Sequence, residues 1–351
     1  MTPTQIRIVL AARPDGAPRP DDFEVTSGPI PEPADGQLLL RTLYLSLDPY
    51  LRGRMGSSVS HSSATPPVAL GAVMEGGTVG EVVVSRDPRF VPGDIVAAAT
   101  GWQQYAVAPA AAVRRLNPAD APVSTALGVR GMPGLTGYAA IREIGRPRPG
   151  ETVVVAAATG TVGSLAGQMA RLEGSRVVGI AGGDRKVGWL RAAGFDVALD
   201  HRDPDFESNL ADATPNGIDV YVESVGGRVR QAVWPRLNRH ARVPVCGVAS
   251  AYSAASTGFD TDADSLMSGL VTRSITLRGF VFSDFEHLRP TFEREVATWL
   301  RAGDVVHHED MVDGLVNAPS AFLAMLAGEH LGKRLVRVAP ERQSEAQASI
   351  A

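Results

Sequence analysis

The chain has 351 residues, 44 % of them apolar and 21 % charged, with a net charge of −4 and one cysteine, Cys246. That length exceeds what one hydrophobic core usually serves, so two domains are expected, and the composition excludes a disordered or fibrous chain. The charge gives no footprint for nucleic acid, and one thiol excludes an internal disulfide or a Cys-rich zinc site.

In chain order, residues 1–12 lack the charged start, apolar core and small-residue cleavage site of a secretory signal, so a cytoplasmic protein is expected. The N-terminal third reads as short β segments, Gln37–Leu43, Gly76–Ser85 and Asp94–Ala99, with Pro31, Pro33, Pro88 and Pro92 between them. Such spacing marks a compact β-rich unit. Ser57–Pro67 is polar and reads as a mobile surface loop or lid. From Glu151 strand and helix alternate. Strand Thr152–Ala158 leads through a glycine turn into a helix with Leu165, Met169 and Leu172 on one face. Strand Arg176–Ala181, a helix at Lys186–Ala193, and strands Asp196–Leu199, Ile218–Val225, Arg242–Val248 and Thr276–Phe282 follow. This alternation predicts an α/β fold with a doubly wound parallel sheet. The longest apolar run, Val153–Ala158, is too short to span a bilayer, so no membrane partner is expected. A helix over Glu286–Ala302 buries Leu288, Phe292, Val296, Trp299 and Leu300, with Glu293 and Glu295 on its solvated face. A helix at Pro319–Ala327 and a strand at Arg334–Val338 close the chain before a polar tail after Pro340 that should fray.

The strongest chemical signal is Ala158-Thr159-Gly160-Thr161-Val162-Gly163, directly after a strand and before a helix. It is a GxGxxG turn with alanine in the first place. Gly160 lets a pyrophosphate approach the backbone, Gly163 lets helix and strand pack closely, and the helix start at Thr161 and Val162 presents free amides. At the end of the second strand an NAD site would carry a carboxylate. Here Gly182 and Gly183 stand instead, so nothing repels a 2′-phosphate, although Asp184 would weaken that reading if it pointed inward. Lys186 is a phosphate partner or a solvated helix lysine. Of the 34 basic residues only Lys186 and Lys333 are lysine, and that bias favours the first reading. His201 and Arg202 could border the same pocket. The cofactor expected is NADP(H).

Several segments together resemble one family. They are Leu47-Asp48-Pro49-Tyr50-Leu51-Arg52-Gly53-Arg54-Met55, Gly131-Met132-Pro133-Gly134-Leu135-Thr136, the glycine turn, Cys246-Gly247 through Ser250 to Tyr252, and Gly279-Phe280-Val281-Phe282. The family is the zinc-independent medium-chain dehydrogenases/reductases of the prostaglandin (leukotriene) reductase, plant double-bond reductase and bacterial curcumin reductase type, and the resemblance covers nearly the whole chain. It implies a GroES-like β-rich catalytic domain at 1–129 and 308–351, a Rossmann NADP-binding domain at 130–307, and a homodimer joined through the nucleotide domains. It also implies that Met132 and Thr136 line the nicotinamide, that Cys246, Gly247, Ser250, Tyr252, Phe280, Val281 and Phe282 wrap the cofactor, and that Lys186 meets the 2′-phosphate. Tyr50 and Tyr252 would face the substrate. This sequence departs from the pattern at His201 (usually Tyr), at Ser224 (usually Asn) and at His330, which replaces the Asn of the closing Asn-x-Gly-Lys motif and would lie near the cofactor.

No metal is expected, because a catalytic zinc needs Cys and His ligands this chain lacks. His307 and His308 are adjacent and read as loop residues. Without a Lewis acid, the reaction expected is hydride addition to the β-carbon of an enone or enal, with hydrogen-bond donors at the carbonyl oxygen. Tyr252 is the expected donor and Tyr50 the second donor or cavity wall. Cys246 reads as a buried structural thiol on a strand. The alternatives are a quinone reductase using the same cofactor and a non-catalytic NADPH-binding sensor.

Overall fold

The computed structural model describes residues 3–57, 66–252 and 263–341. Most of the expected loop at Ser57–Pro67 and of the expected tail after Pro340 lies outside these residues. The chain begins with an antiparallel ribbon, β1 (Thr4–Leu10) with β2 (Phe23–Pro29). Next comes β3 (Gln37–Ser46), buried on both faces, which is why its apolar residues run almost unbroken. Leu38 and Leu40 join Val82 and Val96 in one cluster, while Leu45 meets Trp102 and Phe322 in another. After α1 (Leu51–Arg54), strands β4 (Thr78–Ser85), β5 (Ile95–Ala98), β6 (Tyr105–Pro109) and β7 (Arg114–Leu116) build out from β3.

Helix α2 (Met132–Ala139) runs on through a π-helical stretch, Ala140–Gly145, into the alternating half. That half comprises β8 (Thr152–Val155), α3 (Thr161–Leu172), β9 (Arg176–Ala181), α4 (Asp184–Ala192), β10 (Val197–Asp200) and α5 (Phe206–Ala213). It continues with β11 (Ile218–Val222), α6 (Gly227–Val233), β12 (Leu237–Val245), α7 (Ala263–Arg273) and β13 (Thr276–Gly279). All neighbours in the order β10-β9-β8-β11-β12-β13 are parallel. This is the doubly wound Rossmann order, with the crossover between β8 and β11. One core contains Leu165, Met169 and Phe292, and a second contains Phe206, Leu210 and Tyr221.

Helix α8 (Arg289–Ala302) then leads to β14 (Glu309–Asp313), α9 (Ala318–Leu326) and β15 (Lys333–Arg337). β15 pairs antiparallel with β3 and parallel with β14, so the end of the chain completes the sheet its beginning started, in the order β14-β15-β3-β4-β5-β7.

Several boundaries differ from expectation. The strands expected to reach Ala158, Val225, Val248 and Phe282 end at Val155, Val222, Val245 and Gly279. The chain beyond them leaves the strand geometry, helped by positive φ at Ala157 (45°) and Gly226 (78°). The helix expected from Glu286 starts at Arg289, because a 3-10 stretch at Phe282–Leu288 is broken at Phe285 (φ −120°). Leu172 ends its helix 40 % exposed. Glu293 and Glu295 are not merely solvated: Glu295 accepts from Tyr138 Oη at 3.0 Å and Glu293 pairs with Arg114 at 3.1 Å, tying α8 to α2 and β7.

Candidate functional site

The short strands leave a crevice at the carboxyl ends of β8, β9, β11 and β12, where ligands bind in open α/β sheets. Its floor is the glycine turn. A Cβ on Gly163 would stand 2.8 Å from Ala157 O and 2.9 Å from Ala158 Cα, so only glycine lets α3 approach β8 this closely. Gly160 caps α3, and the first intrahelical bond is Ser164 N to Gly160 O at 2.8 Å. The amides of Thr161, Val162 and Gly163 precede that bond and carry the positive end of the helix dipole, the local chemistry that binds a phosphate. Helix α2 lies on this turn: a Cβ on Gly137 would meet Val162 O at 2.5 Å. Met132 is half-buried there, and the buried Thr136 hydroxyl donates to Met132 O at 2.9 Å.

At the end of β9 the backbone passes through Gly182 and Gly183, and Asp184 points to solvent. A Cβ on Gly182 would meet His201 Nε2 at 2.8 Å and Arg202 Nε at 2.9 Å. Asp200 is occupied by the amides of Gly183 (2.9 Å) and Arg202 (2.8 Å). Lys186 Nζ donates to Gly328 O at 2.7 Å, linking α4 to the loop before β15. Among the described residues neither Lys186 nor Arg202 has a carboxylate ion-pair partner. Burial and then the Arg202 and Arg185 charges lower the Lys186 pKa, and burial opposed by Asp200 lowers that of His201. His330 borders this group. Its Nδ1 is shut off from solvent without a partner among the described residues, and burial followed by the Lys186 and Arg334 charges pushes its pKa down to about 4. A dinucleotide carrying an extra phosphate fits this cationic pocket.

At the ends of β11 and β12, Ser224, Cys246, Gly247, Ser250 and Tyr252 come together. Ser224 Oγ donates to Ala156 O at 3.4 Å, and a Cβ on Gly247 would lie 3.1 Å from Ser224 O and 3.3 Å from Tyr252 Oη. Ser250 N donates to Val225 O at 2.9 Å. Burial raises the Tyr252 pKa, so its phenol stays a proton donor. Cys246 was expected on a buried strand. It follows β12 half-buried instead, because the chain has already left the ladder, and its thiol donates to Glu223 O at 3.5 Å with the pKa pushed up to about 12 by burial. Phe280 packs edge-on against Phe285 at 5.5 Å, while Val281 and Phe282 are exposed.

Tyr50 packs with the β-rich core. Burial, then the Asp48 and Glu75 charges, raises its pKa and keeps it protonated. Two elements of the site escaped the sequence reading. The buried Glu223 carboxylate accepts the amides of Val225 (2.7 Å) and Gly226 (2.9 Å) and the Tyr221 hydroxyl (3.1 Å), which fixes the turn holding Ser224. The buried Lys333 ammonium contacts Asp48 Oδ1 at 2.5 Å and Leu47 O at 3.0 Å, beside Tyr50. The rarity of lysine marked Lys333, but no local pattern links positions so far apart. Among the described residues no three His, Cys, Asp or Glu side chains converge to hold a metal ion. His307 and His308 lie in the loop before β14, and no described helix is long and apolar enough to cross a membrane.

Comparison with known proteins adds to this geometry. Residues 6–116 match the family described as N-terminal domain of oxidoreductase, and residues 161–300 the family described as zinc-binding dehydrogenase. The chain is 46 % identical to the NADPH-dependent curcumin reductase of Escherichia coli over 95 % of its own length and 96 % of that protein. It is 36 % identical to the NADP(+)-dependent 2-alkenal reductase of Nicotiana tabacum, covering 95 % and 98 %. The crystal structure of CurA in complex with NADPH from Vibrio vulnificus superposes with a TM-score of 0.90 at 44 % identity, covering 95 % of this chain and 99 % of that one.

Proposed function

Because the chain belongs to the zinc-independent medium-chain dehydrogenases/reductases, as an oxidoreductase of the curcumin and alkenal reductase type, we propose that it uses NADPH to reduce the C=C bond of α,β-unsaturated aldehydes and ketones. One observation carries the cofactor choice: His201 and Arg202 crowd the Gly182–Gly183 backbone, the Arg202 guanidinium and the Lys186 ammonium both reach Gly328, and Asp184 is turned to solvent. A 2′-phosphate meets the Lys186 and Arg202 cations through charge-assisted hydrogen bonds, and a bare ribose hydroxyl gains little from them. His330 adds a donor or acceptor at the rim, and the amides of Thr161, Val162 and Gly163 take the pyrophosphate.

Bound NADPH supplies the hydride that adds to the β-carbon of the substrate. The chain's part is to hold the substrate carbonyl against donors that meet the negative charge developing on its oxygen. Tyr252 is assigned that role because its hydroxyl lies beside Gly247 at the carboxyl edge of the sheet and burial keeps it protonated. Tyr50, likewise held protonated, is the second donor or the cavity wall. Met132 and Thr136 stand on α2, which meets the first turn of α3 at Gly137, and are assigned to limit water around the reacting end. The catalytic unit is assigned to residues 1–129 and 308–351, the nucleotide unit to 130–307, and the assembly to a homodimer.

The test follows nicotinamide absorbance with purified protein, NADPH or NADH, and a medium-chain enone or a quinone. Rapid loss with NADPH and the enone is expected. Consumption of the quinone alone would replace this reading with a quinone reductase, and NADPH binding without turnover of either would replace it with a sensor.

A further inference from the structure

The loop that carries Tyr50 is anchored from the far end of the chain. Leu47, just after β3, is held at both backbone groups by β15: its amide donates to Arg334 O at 3.2 Å, and its carbonyl accepts from Lys333 Nζ at 3.0 Å. The same ammonium meets Asp48 Oδ1 at 2.5 Å, and Ser46 Oγ donates to the other carboxylate oxygen. Both charges are shut away from water, Lys333 5 % and Asp48 6 % exposed. From Asp48 the chain goes straight to Tyr50. Pro49 fixes its own φ between them, Asp48 O accepts from Leu51 N at 3.1 Å, and Tyr50 O accepts from Gly53 N at 2.9 Å. Tyr50 thus stands at the start of α1 with the buried carboxylate at its root. The Lys333 stem lies along the segment leading into α2: a Cβ on Gly128 would be 3.5 Å from Lys333 Cγ, and Gly128 O accepts from Gly134 N at 3.1 Å.

Stability alone does not account for such a pair. Two charges taken out of water regain at most about what they lose, and apolar side chains of the same volume do as well or better. What the pair adds over apolar packing is direction, since ammonium donors and carboxylate oxygens must meet atom to atom. Lys333 is one of two lysines in a chain that otherwise uses arginine. Its compact ammonium reaches one carboxylate oxygen and one carbonyl where a forked guanidinium would need more room.

We propose that Lys333 and Asp48 are positioning residues for the reduction: their buried ion pair, braced by Ser46, sets where the Tyr50 ring stands at the reacting end. This rests on the role given to Tyr50 above. Both residues act through Tyr50, so neither is needed to bind NADPH.

The test neutralises both members at once, Asp48→Asn with Lys333→Met, because either change alone strands a buried charge. Calorimetric titration with NADPH should return the wild-type affinity. The kcat/KM for an enone should fall about tenfold, as for a reacting group displaced by a fraction of an ångström. In a Tyr50→Ala background the same two substitutions should change it by less than about twofold, since the ring they act through is gone. A second readout needs no turnover. In protein labelled with fluorotyrosine, the Tyr50 fluorine resonance, assigned by its absence from Tyr50→Ala, should shift in the neutral pair. The resonances of Tyr138 and Tyr221 should stay in place, which also shows that the fold is intact. If the neutral pair does not fold, Ser46→Ala, which removes only the brace on Asp48, takes its place with the same expectations. A Tyr50 resonance that does not move overturns the proposal, as do losses that add fully to those of Tyr50→Ala or a matching loss of NADPH affinity. Wild-type turnover by Tyr50→Ala overturns the role of Tyr50 itself, and the positioning with it.

Discussion

Lys186 already has a carbonyl partner in Gly328, yet an ammonium carries three donors, so it can meet a phosphate without releasing the loop. Lys186→Ala should raise the Michaelis constant for NADPH about tenfold or more and leave that for NADH nearly unchanged; equal effects on both cofactors would remove the 2′-phosphate from this pocket. Tyr252→Phe keeps the ring and deletes the donor, and its turnover of an enone should fall about a hundredfold with cofactor binding preserved. Turnover equal to wild type would end the donor assignment. His330 gives a pH prediction. Its folded pKa is about 4, below the ordinary 6.5, so between these values the unfolded chain takes up a proton that the folded chain refuses. Stability from this source is complete above pH 6.5 and is lost as the pH falls toward 4. The melting temperature of His330→Asn should therefore drop less than that of wild type over this interval, and parallel curves would refute the argument. Lys186 was legible because lysine is rare here. Glu223 was not: a lone carboxylate at a strand end looks like any surface acid until the fold closes two amides and a hydroxyl around it.

The glycine turn separates two jobs that a motif lumps together. A methyl at Gly163 collides with backbone at 2.8 and 2.9 Å, whereas one at Gly160 comes no nearer than 3.3 Å to Ala157 O. Gly163→Ala should thus lower stability by about 1–3 kcal/mol, the usual cost of overpacking, seen as a lower melting temperature. Gly160→Ala should leave melting nearly unchanged and weaken NADPH binding, since that position is where the ligand approaches. Equal melting losses would show both glycines to be structural. The order of strands and helices was readable because hydrophobic period and turn residues act locally. The carboxyl ends of β8, β11 and β12 were not, since apolar residues such as Ala156, Val225 and Val248 continue past them and the chain there is held by contacts distant in sequence. Ser224 bonds to Ala156 O and Cys246 to Glu223 O, and neither pairing has a local signature.

The two edges of the parallel sheet differ. Along β10 the groove is lined by Arg176, Asp184, Arg191, Asp200, Asp203 and Asp212, and charges of this kind block strand pairing with another chain. The β13 edge carries one charge, Arg278, whose guanidinium lies over the Phe285 ring. All of Thr276–Gly279 is exposed, Val271 on α7 is 79 % exposed, and Met267, Leu277, Val281 and Phe282 lie open on the same part of the chain. An open strand edge with apolar neighbours invites a symmetric partner, which is the physical ground for the homodimer proposed above. It also gives a place to Val281 and Phe282, which a single chain leaves in water. Light scattering should return twice the mass of the 36.9 kDa chain, and Val271→Asp combined with Leu277→Glu should return one. Because the glycine turn and the cationic pocket lie on β8, β9 and β10, away from this edge, the double variant should still bind adenosine 2′,5′-bisphosphate. A wild type of single mass, or a double variant of undiminished mass, would move the interface elsewhere. Loss of bisphosphate binding together with dimerisation would instead make assembly a condition for forming the nucleotide site.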